Sequence, residues 1–227
     1  MSHQKVSRFG HPDFATVRQE DDFIWVNEFN EESLLQFYRA FTEKELDDSN
    51  RVIVVVISSY GGEVSSLMAM RDLIKSSPKP VATLALGKAM SAGACLLAAG
   101  TKGLRFASPD TLLMIHEVSG GAMGKTADVV ESAQVMGELN LKLLNNLAAD
   151  CGLSMEDIEN QLRSKKNVDW TLTAQAAKKL GLIDHVAIPR HITRMPEKEL
   201  SNPPTWTEME SVELKRLGLT KKKKTRK

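Results

Sequence analysis

The sequence predicts an α/β fold, in which short apolar strands alternate with amphipathic helices along most of the chain. Two observations carry this prediction. Residues 51–57 form a continuous β-branched run, typical of parallel strands that are covered on both faces. Segments on either side of it space their apolar residues by three or four, as helices packed on a sheet do. Because parallel strands are joined by right-handed crossovers, the loops that follow them should meet at one edge of the sheet.

The elements can be placed in order from these patterns. Residues 31–46 carry acids in their first turn and an apolar face, and Pro78 and Pro80 close the helix that starts at residue 64. Ser154 with Asp157 is a variant capping box. Strands are predicted at 23–26, 51–57 (as the centre of the sheet), 81–86, 112–116 and 182–186, with a short strand or turn at 103–106. Helices are predicted at 31–46, 64–74, after Ser91, at 125–150, 154–163 and 173–180.

Length and charge favour one domain with two extensions. The chain has 227 residues, and we expect a mobile arm over 1–21, a folded domain over 22–189 and an extension over 190–227. The formal charge of +1 hides an asymmetry, because residues 221–227 carry six basic side chains and no acid. The remaining body is mildly acidic, which argues against a nucleic-acid partner. The basic tail is expected to be solvated.

Cysteine usage and hydropathy favour a cytoplasmic protein. Cys95 and Cys151 give neither a disulfide framework nor metal-ligand spacing, so buried thiols are expected. Residues 1–10 lack the apolar core of a signal peptide, and no apolar run is long enough for a membrane span. No glycine-lysine phosphate loop is present, so we expect no ATP binding. We also expect no cofactor, no metal and no membrane partner.

Ser91 is the first candidate for chemistry. It is a lone serine among small residues in the stretch 87–100, where an apolar strand gives way to an apolar helix. A serine there is either a nucleophile beside free backbone N–H groups or simply a helix cap. Gly61 and Gly62, which follow the strand at 51–57, likewise allow a close backbone approach or a plain tight turn. The topology predicts that the glycine pair and Ser91 are neighbours.

His116 and Asp169 are the candidate partners of Ser91. A serine nucleophile needs a base that takes its proton and a third group that orients the base. Of the five histidines, only His116 ends a buried central strand, although a lone histidine in that position can also be a core residue.

Four motifs follow one another along the chain. They are Ser59-Tyr60-Gly61-Gly62, residues 87–93 with 96–100, Met114-Ile115-His116, and Asp169 followed by residues 181–184. Taken together, these motifs resemble the ClpP family of self-compartmentalised serine peptidases, from about Phe23 to Val186. The resemblance implies a ClpP/crotonase-like α/β fold of repeated β-β-α units with a protruding handle helix, the handle covering about 118–150. It also implies Ser91 as nucleophile, His116 as general base and Asp169 as the orienting carboxylate, with an oxyanion hole formed by the backbone N–H groups of Gly62 and Ala92.

The resemblance implies partners as well. Seven copies of the chain would form a ring, rings would stack through the handle into a tetradecamer, and the triad would be enclosed in a chamber. The substrate would be an unfolded polypeptide, and an ATP-dependent unfoldase would deliver it. An extended substrate can pair with the glycine-rich segment before the long helix as an added β-strand.

Four residues depart from the family pattern. Tyr60 stands where a proline is usual, Met90 and Ala92 exchange a large and a small residue around the serine, and Val168 replaces an arginine that helps to join two rings. Three alternatives therefore stay open. They are an acyl-CoA enzyme of the crotonase type, a signal-peptide-peptidase-like or phage prohead-type protease with a lysine base such as Lys88, and a catalytically inactive ring subunit or scaffold.

Overall fold

The computed structural model describes residues 23–48, 50–164 and 169–189. The predicted N-terminal arm of 1–21, the predicted extension of 190–227 and Val168 lie outside the described residues. The strands and helices of the described chain, in order, are β1 (Ile24–Val26), α1 (Glu31–Leu46), β2 (Ile53–Ser59), α2 (Val64–Ser76), β3 (Val81–Met90), α3 (Ala92–Ala98), β4 (Arg105–Ala107), β5 (Leu112–Ile115), α4 (Thr126–Cys151), α5 (Met155–Ser164), β6 (Trp170–Thr173), α6 (Ala174–Leu180) and β7 (His185–Val186).

The sheet is mostly parallel, which confirms the predicted α/β class. Its main path runs β1-β2-β3-β4-β7, and every pair along that path is parallel. The structure corrects the predicted centre of the sheet, because β2 is the second strand and β3 is the one with three partners. Strand β5 pairs with β3 in parallel, and β6 pairs with β5 in antiparallel orientation.

Strand β3 is longer than predicted because it continues through Gly87. This glycine has φ of 74°, which side-chain-bearing residues rarely adopt, and open space surrounds the position of its missing Cβ. Before Gly87, β3 pairs with β4 from Thr83 to Ala85; after it, β3 pairs with β5 from Lys88 to Met90. The strand therefore changes its partner at the glycine, and its last residues are delivered to β5.

The other observed helices and strands can be compared with the predicted ones. Helix α1 has the predicted bounds, and the Ser154–Asp157 capping box is present, with Asp157 N–H donating to Ser154 Oγ and Ser154 N–H to Asp157 Oδ2. Strand β6 was not predicted as a strand; the sequence indicated only a lead-in to the helix after residue 173. Strand β7 is shorter than its apolar pattern suggested, covering two residues.

The core lies on both sides of β2, as its uninterrupted apolar run predicted. Ile53, Val55 and Ile57 face the large cluster formed with the helices, while Val54 and Val56 face a smaller cluster that includes Phe106. Cys95 and Cys151 are buried free thiols, as expected, and burial raises the pKa of both to about 12. Within the described chain, no helix has the length and apolar character needed to cross a bilayer.

Arg105 places a positive charge inside this core. Its side chain is only 2% exposed, and its Nη2 donates to Asp184 Oδ1 at 2.7 Å while its Nε donates to Asp184 Oδ2 at 2.9 Å. Its Nη1 donates to the carbonyl of Asp150 at 2.8 Å. Arg105 thereby joins β4, the residue before β7 and the C-terminal end of α4.

The environment of Asp184 favours its charged form. Burial alone would raise the pKa of this carboxyl group, but the hydrogen bond and positive charge of Arg105 outweigh burial and, together with the backbone N–H groups of Arg105 and Gly103, lower it. An aspartate whose folded pKa is depressed contributes stability above its unfolded pKa. That contribution is lost as the pH falls through the folded value.

We expect Asp184→Ala to lower the free energy of unfolding by about 3–5 kcal/mol, because it leaves the buried Arg105 guanidinium without a counter-charge. Urea unfolding at pH 7 measures this. The control is Glu159→Ala, which breaks the exposed α5 pair with Arg163 and should cost less than about 0.5 kcal/mol. Below about pH 4, the wild type should also lose stability more steeply than Asp184→Ala. Equal acid sensitivity of the two proteins would contradict the role given to Asp184.

Candidate active site

Ser91 sits in a strained turn between β3 and α3. It has φ of 53° and ψ of −118°, and it is the one non-glycine residue with positive φ among the described residues. Such a conformation costs on the order of 1–3 kcal/mol and persists only where its surroundings impose it. Here the Ser91 N–H donates to the carbonyl of Met114 on β5 at 2.7 Å, and the Ser91 carbonyl accepts from the N–H groups of Ala94 and Cys95.

The hydroxyl group of Ser91 contacts His116 and does not cap the helix. No hydrogen bond joins the Ser91 side chain to an α3 N–H. Ser91 Oγ lies 2.7 Å from Nε2 of His116, and both residues are partly buried. Of the two interpretations that the sequence left open for Ser91, the structure therefore excludes the side-chain cap. It gives the serine the hydrogen bond that a base needs in order to take its proton.

Pairing between β3 and β5 brings these two side chains together. Met90 at the end of β3 lies opposite Met114 on β5. Ser91 follows Met90 directly, and His116 stands two residues after Met114 at the same edge. The contact thus follows from the second half of β3, the part of the strand that the sequence did not predict.

Asp169 lies next to His116 in the strand register without a hydrogen bond to it. The antiparallel pairing of β5 and β6 ends with Ile115 opposite Trp170, so His116 and Asp169 occupy the next position along the register. Asp169 is exposed, and the described residues contain no hydrogen bond or ion pair between its carboxylate and the His116 ring. The structure therefore brings together two of the three predicted residues and places the third beside them. The alternation of buried Trp170 and Leu172 with exposed Thr171 and Thr173 is the signal that could have predicted β6.

The loop that follows β2 packs directly on the Ser91 turn, as the topology predicted. Gly61 has φ of 104°, and a Cβ placed there would come within 2.8 Å of the Ser91 Cβ and 3.0 Å of the Met90 carbonyl oxygen. Gly62 forms a parallel bridge with Phe29, and a Cβ on Gly62 would collide with the Phe29 carbonyl oxygen. Phe29, which sequence reasoning missed, therefore fixes the far side of this loop. Both positions therefore require glycine, because a Cβ atom at either one would collide with a neighbouring residue.

Two backbone N–H groups at this junction are free to bind a ligand. Ala92 is the first residue of α3, so no carbonyl of a preceding helical turn is available to accept a hydrogen bond from its N–H. Within the described chain, neither Ala92 N–H nor Gly62 N–H donates a hydrogen bond. These are the two donors that the resemblance named. Two unpaired N–H groups beside a serine hydroxyl can stabilise an oxyanion.

Lys88 points elsewhere. Its Nζ lies 4.0 Å from the centroid of the Tyr60 ring, and no hydrogen bond joins it to Ser91 among the described side chains. This arrangement disfavours Lys88 as the base for Ser91. Among all the residues that the structure describes, no group of three His, Cys, Asp or Glu side chains is placed to hold a metal ion.

Comparison with known proteins gives one family. A sequence model of the family described as Clp protease matches residues 14–190, a range that contains all five predicted site residues. The curated "ATP-dependent Clp protease proteolytic subunit 2" of Corynebacterium glutamicum is 32% identical over 186 residues, covering 82% of this chain and 90% of that protein. The protein of the same name from Corynebacterium diphtheriae is 38% identical over 140 residues, covering 62% of this chain and 68% of that protein.

We expect Gly61→Ala to disrupt the Ser91–His116 contact, because the added methyl group meets the Ser91 Cβ and alanine is strained at this φ. The backbone strain alone should cost about 1–3 kcal/mol in the free energy of unfolding. Reaction of Ser91 with a fluorophosphonate, followed by mass spectrometry, should slow at least tenfold. The control is Gly137→Ala in α4, since open space surrounds the Cβ position of Gly137. Equal labelling of both variants would contradict this account of the turn.

Proposed function

Because the chain belongs to the Clp protease family, we propose that it is the proteolytic subunit of a compartmentalised serine endopeptidase that cuts unfolded polypeptides. The observation that carries the proposal is the 2.7 Å contact between Ser91 Oγ and His116 Nε2 beside two unpaired backbone N–H groups. A hydroxyl group, a base and oxyanion donors at one point are the parts that acyl transfer needs.

In the proposed reaction, His116 Nε2 accepts the Ser91 proton as Oγ attacks the carbonyl carbon of the scissile peptide bond. The resulting oxyanion accepts hydrogen bonds from the N–H groups of Gly62 and Ala92. His116 then gives the proton to the leaving amine, and an acyl group remains on Ser91 until water removes it. Asp169 orients the His116 ring through Nδ1 once its carboxylate turns toward it.

The proposed assembly is a seven-membered ring that stacks on a second ring through the handle. Helix α4 carries apolar side chains that the single chain leaves in water, including Val130, Val135 and Leu141, each at least half exposed. Before α4, Val118 N–H donates to Asn140 Oδ1 at 2.9 Å, which holds the glycine-rich segment along the helix. That segment belongs to no strand within the described residues, so its backbone can pair with an extended substrate.

The proposed partner that supplies substrate is an ATP-dependent unfoldase, because both curated relatives are named as subunits of an ATP-dependent protease. A chamber that encloses Ser91 admits only unfolded chains. The reaction itself uses no cofactor in this proposal, since His116 and the two N–H groups supply the proton transfer and the oxyanion binding.

One alternative keeps a specific observation in its favour. An inactive ring subunit or scaffold would account for a His116 ring that donates no hydrogen bond to Asp169 in the described chain. Labelling of Ser91 by a fluorophosphonate separates this alternative from the proposed peptidase, since an unactivated serine does not react.

We expect Ser91→Ala to abolish peptide hydrolysis and fluorophosphonate labelling, because the hydroxyl group is the nucleophile. His116→Ala should reduce kcat by about the same factor, at least 10³, since residues that act as a unit are not additive. Ser76→Ala, an exposed serine at the end of α2, is the matched control. All three variants should keep the sedimentation coefficient of the wild type. Hydrolysis by Ser91→Ala within tenfold of wild type would remove the proposed mechanism.

We expect the stacked rings to be insensitive to salt. The exposed side chains of α4 include Val130, Val135 and Leu141, whose apolar contacts high salt leaves intact or strengthens while it screens ion pairs. Sedimentation velocity in about 0.05 M and about 1 M salt measures this, with Debye lengths differing several-fold between the two. Double rings that separate into single rings at high salt would show an ionic interface, and a monomer in both solutions would contradict the compartmentalised peptidase.

A further inference from the structure

The loop that carries the Gly62 N–H is restrained by contacts of its backbone. Gly61 and Gly62 have φ of 104° and 153°, and glycine backbone has more conformational freedom than any other. The Gly61 N–H donates to Ser59 Oγ at 3.0 Å, and the Glu63 N–H donates to the Phe29 carbonyl at 2.8 Å. Both hydrogen bonds restrain the backbone, and neither involves the side chain of Tyr60.

The Tyr60 ring lies under the ammonium group of Lys88. Tyr60 is 71% exposed, yet Lys88 Nζ lies over its ring at 4.0 Å from the centroid. Ser59 and Ala89 are paired across β2 and β3 and point into the core, so Tyr60 and Lys88 flank this pair on the opposite face. Lys88 forms no ion pair with a carboxylate among the described residues. Its ammonium group is therefore available to the ring.

We propose that the Lys88–Tyr60 contact is a positioning device that holds the Gly61-Gly62 loop, and with it the Gly62 N–H, against the Ser91 turn. This inference rests on the proposed function, in which Gly62 N–H binds the oxyanion. The contact ties the first residue of the loop to β3, the strand that also delivers Ser91. The donor and the nucleophile then move together.

Loss of the contact should affect kcat and leave KM nearly unchanged. A donor that binds the oxyanion acts in the transition state, so misplacing it raises the barrier without weakening substrate binding. A cation–π contact at a partly exposed site is a weak interaction. We therefore expect Lys88→Met and Tyr60→Leu each to lower kcat by about threefold to tenfold. Because both remove the same contact, the double variant should lose no more than either single one.

Peptide hydrolysis by the assembled full-length protein provides the first test. Lys88→Arg and Tyr60→Phe keep a cation and a ring, and they should stay within about twofold of wild type. Lys178→Met on α6 and Tyr38→Leu on α1 are the matched controls, because both side chains are exposed and belong to helices outside the loop. A loss for Lys88→Met with none for Tyr60→Leu would overturn the proposal, since the lysine would then act on substrate or Ser91 directly. Additive losses in the double variant would also overturn it.

Hydrogen exchange of the loop provides a second test that does not depend on activity. In a Ser91→Ala background, the peptide covering residues 58–66 should exchange at least threefold faster after Lys88→Met or Tyr60→Leu, and at the original rate after Lys88→Arg. An unchanged exchange rate overturns the positioning role even if the wild type hydrolyses peptides. Suppose that the variants exchange faster while the wild-type protein neither hydrolyses peptides nor reacts with fluorophosphonate. In that case the proposed function fails, and the structural role of the contact stands.

Discussion

The pairing of β3 with three strands is the constraint on which the rest of the structure depends. Its first half holds β4 and its second half holds β5, and the change occurs at Gly87, whose φ of 74° lets the strand leave one neighbour for the other. Were β3 to end at residue 86, β5 would lose its parallel partner. Ser91 would then be separated from His116. The contact between Ser91 and His116 at the sheet edge is thus a consequence of where one strand exchanges partners.

Helix α3 is held at both ends, and this is what keeps the strained serine in place. At its start, the Ser91 N–H is bound to Met114 of β5. At its end, the Thr83 hydroxyl donates to the Leu97 carbonyl at 2.7 Å, and Arg105, paired with Asp184, lies beside the Ala98 carbonyl. All seven residues of α3 are buried, so the helix cannot shift to relax the turn. Arg105 and the Ser91 turn therefore contact opposite ends of a single short helix.

Local patterns predicted most of the fold and three positions of the site, while long-range pairings escaped them. The bounds of α1 and the two-sided burial of β2 follow from periodicity, and Ser91, His116 and Gly61 were found because each stands at the end of an apolar strand. Strand β6 was missed because its alternation of apolar and polar residues covers only four positions, and its partner β5 lies far away along the chain. The buried guanidinium of Arg105 was equally invisible, since its partner Asp184 lies 79 residues further along the chain.

The two halves of the proposed oxyanion hole differ in how firmly the fold holds them. Ala92 N–H belongs to a buried helix and sits beside a serine whose φ of 53° the core imposes, so its position is fixed by packing. Gly62 N–H belongs to an exposed loop of two glycines, and its position depends on a bridge to Phe29 and on a tyrosine under a lysine at the surface. A preorganised site needs both donors in place before charge develops. In the proposed reaction, the loop is therefore the support that can alter oxyanion binding, because it can move without unpacking the core.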